Sequence, residues 1–126
     1  MKKTVLCLLL MVGSLYAQKK DIIYRIAYDS YPAVGYSYDI NVMMLQEDSR
    51  YCLINQKFSS RKMARKNVPL RTSKEYGNWT IIKDTLKLIE DQNKRESRYI
   101  ILSDKKITFL FDNVDQSKYY WRKIKN

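Results

Sequence analysis

The chain has 126 residues, with 24 lysines and arginines against 13 aspartates and glutamates and a formal charge of +11. That length supports one modest core, which excludes a two-domain protein. There is no histidine, so the commonest general base near neutral pH and the commonest metal ligand are both missing, and the cation excess points to anionic partners.

The chain opens on Lys2 and Lys3, followed by the apolar run Val5 to Val12. A positive start and an apolar stretch too short to span a bilayer are the marks of a secretory signal peptide. Gly13 and Ser14 break the run, and Ala17 offers the small side chain that signal peptidase needs, so residues 1–17 read as the signal, with cleavage before Gln18. A cut after Ser14 is the alternative, because Leu15 is large for its position. A lipid anchor on Cys7 is disfavoured, since only Val5 and Leu6 precede it as apolar residues. Cleavage leaves 109 of the 126 residues as a single β domain, 18–126, and takes Lys2 and Lys3 with it, leaving a charge of +9. Cys7 leaves too. Cys52 is then alone, which rules out an internal disulfide and makes a buried thiol acting as a small hydrophobe the expectation. The address is the periplasm or the exterior of a bacterial cell. There an anionic envelope component is a better partner than nucleic acid, and no later apolar run is long enough to make the mature chain transmembrane.

Beyond the signal, apolar residues recur every second position, which predicts strands with one buried face. Ile22, Tyr24, Ile26 and Tyr28 share the first face. Tyr36, Tyr38, Ile40, Val42 and Met44 share the second, opposite Ser37, Asp39 and Asn41. Trp79 with Ile81, Leu86 with Leu88, Ile107 with Phe109 and Phe111, and Tyr119 with Trp121 continue the series. Turn chemistry separates the runs at Tyr31-Pro32-Ala33-Val34-Gly35, Glu47-Asp48-Ser49, Lys83-Asp84 and Ser103-Asp104-Lys105. Links this short forbid parallel crossovers. The expected fold is all-β: one small antiparallel barrel or sandwich of about 7–8 strands, with at most one short helix near 59–66, capped by Ser59 or Ser60. A faint echo joins Leu45-Gln46-Glu47-Asp48 and Ser49-Arg50-Tyr51 to Leu88-Ile89-Glu90-Asp91 and Ser97-Arg98-Tyr99, as though two hairpins were variants of one.

Gly77-Asn78-Trp79, followed by Asp84-Thr85-Leu86-Lys87-Leu88, resembles the Gly-x-Trp strand and the next strand of small secreted bacterial lipocalin-like barrels. The match covers about a tenth of the chain. In that superfamily the motif stands on the first strand, and its tryptophan closes one end of a barrel under a basic side chain from a late strand. The resemblance implies a lipocalin-like barrel and gives the covering role to Arg122.

No catalytic constellation emerges, and the chain reads as a non-enzyme without metal or cofactor. Glu47-Asp48 and Glu90-Asp91 fall at turns, where solvated charge is the ordinary reading, and the parity of Asp39 assigns it to a polar face. The sharpest feature is a run of cations without an acid, Lys57, Arg61, Lys62, Arg65, Lys66, Arg71 and Lys74, joined by a basic C-terminal group around Tyr119, Tyr120 and Trp121 that includes Lys118, Arg122, Lys123 and Lys125. Arg122 and Lys123 complete the candidate anion-binding set. Trp79, Leu86, Leu88, Phe109 and Phe111 form the candidate core or cavity. Of the tyrosines near the mature N-terminus, Tyr24 and Tyr28 suit strand packing, and Tyr31, beside Pro32, suits a contact. The sequence thus points to an exported binding module for an anionic glycan, a lipid headgroup or a small apolar ligand. The alternative is an envelope structural or accessory protein, or an inhibitor, that docks a protein partner through a Tyr-rich face or a strand edge.

Overall fold

In the computed structural model, which describes residues 21–33, 35–110 and 120–125, the alternating runs become β1 (Ile22–Ser30), β2 (Ser37–Leu45), β3 (Arg50–Phe58), β4 (Arg71–Ile82), β5 (Thr85–Glu90), β6 (Glu96–Ser103), β7 (Lys106–Phe109) and β8 (Tyr120–Lys125). Each pairs antiparallel with its neighbours in sequence, and β8 returns to β1 at Tyr24 and Arg25 to close a barrel. Closure gives every strand two neighbours, which removes most of the edge that an open sheet of this size would leave. The expected all-β barrel and its strand number are present, with one short helix among the described residues. The helix, α1 (Arg61–Arg65), follows Ser60, whose Oγ accepts from the Met63 N–H at 3.2 Å. The signal-peptide assignment, Tyr119, Phe111 and Lys118 lie outside the described residues.

The turns fall where their chemistry placed them. Ser49 and Lys83 adopt φ of 69° and 58° in the β2–β3 and β4–β5 corners, and Gly35 takes 120° before β2. The two echoing segments are both hairpins, and Tyr51 and Tyr99 both point into the lumen, but their registers differ. Tyr51 faces Leu45, whereas Tyr99 faces Leu86 and Leu88 faces Ser97.

The core is the lower part of the lumen. Met43, Leu45, Tyr51, Leu86, Leu88 and Ile107 are sealed, with Tyr24, Tyr99 and Trp121 nearly so, and Trp79 and Phe109 packed against them. Tyr99 stands edge-on to both Phe109 and Trp121, at centroid distances of 5.2 and 5.9 Å, the favoured geometry for aromatic quadrupoles.

The parity expected for β2 is reversed. Ser37, Met43 and Leu45 are the buried members, and Tyr38, Ile40, Val42 and Met44 are only half-buried on the outer wall. The reversal has a physical cause. Only the lower end of the lumen is apolar, so the inward set of β2 reads Leu45, Met43, Asn41, Asp39, Ser37, polar for more than half its length, while the apolar set lies on the outer wall, half-buried, with Arg61 over Tyr38. Two other expectations fail similarly. Glu90 is buried at 7% exposure rather than solvated at a turn, and Cys52 faces outward, half-buried, in register with Met44 and Tyr76.

Candidate functional site at the barrel mouth

The inward residues of the first four strands change character from base to mouth in the same way. On β1 Ile22, Tyr24 and Ile26 give way to Tyr28. On β2 Leu45 and Met43 give way to Asn41 and Asp39, on β3 Tyr51 and Leu53 to Asn55 and Lys57, and on β4 Trp79 and Gly77 to Glu75, Ser73 and Arg71. Cross-strand register sets these polar residues side by side: Tyr28 faces Asp39, Asn41 faces Asn55, Asn55 faces Ser73, and Lys57 lies between Asp39 and Arg71. They line an open polar cleft of about 230 Å³, to which Gln56 also contributes.

The charge balance of the cleft is positive. Asp39 accepts from Ser37 Oγ at 3.0 Å. Neither Lys57 nor Arg71 has a carboxylate within ion-pair distance among the described residues. Two cations facing each other across adjacent strands repel unless something negative lies between them. The amides of Asn41 and Asn55, the Ser73 hydroxyl and the Tyr28 phenol surround them with neutral donors and acceptors, the lining that fixes a small polar ligand in a concave site.

The other predicted cations do not converge there. Arg61 is taken by Asp29 through Nη2 at 2.7 Å and Nε at 3.4 Å, and it stacks over Tyr38 at 5.3 Å. Its hydrogen bond, and then that of Tyr36 at 2.6 Å, hold the Asp29 carboxyl below the usual aspartate range. Lys62, Arg65 and Lys66 are exposed on and just after α1, and Lys74 is on the outer wall of β4. Arg122 donates to the Tyr120 hydroxyl at 2.9 Å, which lowers that phenol's pKa, and Lys123 lies 5.8 Å from the Tyr24 ring. The indole N–H of Trp79 donates instead to the Gln46 carbonyl at 2.8 Å, tying β4 to the β2–β3 turn at the closed end. Leu86 and Leu88 of the predicted cavity are solid core. Tyr28, expected to pack, lines the mouth at 40% exposure, and Tyr31 is open to solvent at 79%.

Two straps cross β4 at Gly77, just below the mouth. Inside, Tyr51 donates to Glu75 at 2.8 Å, and Arg95 from the β5–β6 turn pairs with Glu75 and, at 3.3 Å, with Glu90. Burial first, and then the Glu75 bond, push the Tyr51 phenol well above its ordinary pKa. Outside, Arg50 grips Asp91 through Nη1 and Nη2 at 2.9 and 2.5 Å, and Nη1 also donates to Asn78 Oδ1 at 3.0 Å.

No family model and no curated protein matches the sequence. The crystal structure of the Cpx pathway activator NlpE from Escherichia coli is similar in fold, with a TM-score of 0.52 over 75% of this chain at 16% identity. The match takes in 43% of that protein, so this chain corresponds to less than half of its neighbour's length. The likeness is one of fold. It supports the small barrel that the lipocalin-like resemblance implied, with the Gly-x-Trp motif on the fourth strand instead of the first.

Sequence reasoning found Lys57 and Arg71 and missed Tyr28, Asp39, Asn41, Asn55 and Ser73. A usable signal was present. Ser37-x-Asp39-x-Asn41 keeps strict polar alternation, and the polar run Asn55-Gln56-Lys57 stands at a matching distance on the other side of the β2–β3 turn, a pattern of a polar lumen as much as of a solvated outer wall.

Proposed function

We propose that this protein is an exported, non-enzymatic binding module that holds a small anionic ligand in the polar mouth of its barrel. The observation that carries the reading is the pair Lys57 and Arg71, adjacent across β3 and β4 and without a carboxylate partner among the described residues. Arg71 supplies a planar fork suited to a carboxylate or phosphate, Lys57 a mobile point charge, and Asn41, Asn55 and Ser73 can meet the hydroxyls of an acidic sugar or a headgroup. Net positive charge concentrates such ligands near the cleft, and an envelope address supplies them.

Titration of the mature chain with a glucuronate-containing disaccharide, inorganic phosphate and phosphatidylglycerol vesicles tests this and separates the ligand's sources. Saturable binding that moves the amide resonances of Asn41, Asn55 and Ser73, weakens with salt and drops at least about tenfold in Lys57→Gln and Arg71→Gln is expected. Binding indifferent to both substitutions overturns the site.

A second reading, docking of a protein partner, is favoured by Tyr31 and Tyr36, which stand 5.5 Å apart at the same end of the barrel and are 79% and 40% exposed. Replacing both by serine then abolishes capture of the partner and leaves the anion titration intact.

A further inference from the structure

Strand β4 outruns its neighbour on one side. Its pairing with β3 continues up to Arg71, but its pairing with β5 stops at Gly77 opposite Glu90, with one more bond from the Asp91 N–H to the Tyr76 carbonyl at 3.0 Å. The segment Arg71 to Glu75 therefore has a strand on one side only among the described residues, a free edge of roughly 17 Å at the usual strand rise. Bonding direction alternates along a strand. The Tyr76 carbonyl points to the β5 side, so the N–H and C=O of Thr72 and Lys74 point the same way, and no backbone group among the described residues meets them there. Arg71, Thr72, Ser73 and Lys74 are all exposed. A groove of about 210 Å³ begins at Lys74 and passes Glu75 and Tyr76 to the β5–β6 turn.

We propose that this edge receives an extended acidic segment of a partner protein as an added strand. Main-chain bonds from Thr72 and Lys74 supply the attachment, and charge selects the occupant. The carboxylates along the groove are already held, Glu75 and Glu90 by Arg95 and Asp91 by Arg50. Along this edge the charges with no opposite partner among the described residues are Arg71 and Lys74. A second copy of the same edge would set lysine and arginine against lysine and arginine, so the edge resists self-pairing and admits a strand of opposite sign. Side chains of the added strand that point outward meet Thr72, Lys74 and the half-exposed Tyr76 ring. Those that point inward look toward Ser73.

The probe is a short synthetic peptide of alternating glutamate and valine, added to the mature chain and followed by amide hydrogen exchange and NMR. The control is the same peptide N-methylated at alternate residues. Protection of the Thr72 and Lys74 amides by the first peptide and not by the control is expected. Thr72→Pro, which removes an N–H that meets no backbone partner among the described residues, should abolish binding while the fold survives, as proline is tolerated at a strand edge. Lys74→Glu, which leaves the backbone untouched, should weaken it at least about tenfold. Lys57→Gln should leave it unchanged, which separates this edge from the anion site in the mouth. Equal binding of the methylated peptide, protection at other strands, absence of saturable binding, or dimerisation of the free chain through these same amides each overturns the proposal.

Discussion

The first four strands and the last four build two different walls of one barrel. Strands β1 to β4 run nine to twelve residues, and their inward side chains are apolar at the base and polar at the mouth. Strands β5 to β8 run four to eight, and what they send inward is chiefly core: Leu86, Leu88, Tyr99, Ile107 and Trp121. The short wall gives the fold its closed apolar floor, and the excess height of the long wall carries the polar cleft and the free edge. Burial of the floor supplies the bulk of the stability, at about 25 cal/mol per Å² of apolar surface removed from water. The upper wall is thereby released to carry polar groups that contribute little to folding. This division makes the junction of the walls the sensitive place.

That junction is Gly77. A methyl group there would lie 2.0 Å from the Ile89 carbonyl oxygen and 2.6 Å from the Tyr51 ring, and the first of these is backbone, which cannot swing aside. Gly77→Ala should therefore cost about 3 kcal/mol or more by overpacking, and lower Tm by more than about 10 °C. Thermal and urea denaturation check it. A variant that melts like the wild type would mean that the two walls are not locked together at this residue. Next in size is Tyr51→Phe, which keeps the packed ring and removes the hydroxyl that donates to Glu75. A loss of about 1–2 kcal/mol in urea unfolding is expected, because Glu75 is left with Arg95 alone. If instead Tyr51→Phe is neutral, the inner strap is ornamental and the floor alone holds the walls together.

Much of the floor was legible in the sequence and much of the mouth was not, for one reason. Period-two alternation reports which residues share a face, and it says nothing about which face is the lumen. On β1 and β5 the apolar set is the inward set, so Ile22, Tyr24, Ile26, Leu86 and Leu88 read correctly. On β2 the outer wall is apolar and the upper part of the lumen side polar, so the same rule turned Asp39 and Asn41 outward and hid them from the site. Long-range register decided the rest. Nothing local in Glu90-Asp91 announces that Glu90 meets Arg95 inside while Asp91 meets Arg50 across β4, since Arg50 is forty-one positions away. The helix cap, by contrast, depends on residues within one turn, and the sequence narrowed it to Ser59 or Ser60, of which Ser60 caps.

The smallest expected effect concerns the outer strap, and it is read through pH. The Arg50 guanidinium, by its hydrogen bonds first, holds the Asp91 carboxyl below the usual aspartate value, and the pair is accessible to solvent. A carboxyl whose folded pKa is depressed contributes stability that is fully present above its unfolded pKa, about 3.9, and is lost as pH falls through the folded value. Between neutrality and about pH 5 the wild type should thus exceed Asp91→Asn in stability by a constant amount. Below about pH 4 that gap should close, because a protonated Asp91 and the neutral amide that replaces it are then equally unable to hold Arg50 by charge. Urea titrations of both proteins across this range give the curve, and added salt should shrink the neutral-pH gap, since water screens an exposed pair. A gap that persists undiminished at acid pH would mean that the charge of Asp91 on Arg50 is not its source, and would leave the inner strap as the charged tie between the walls among the described residues.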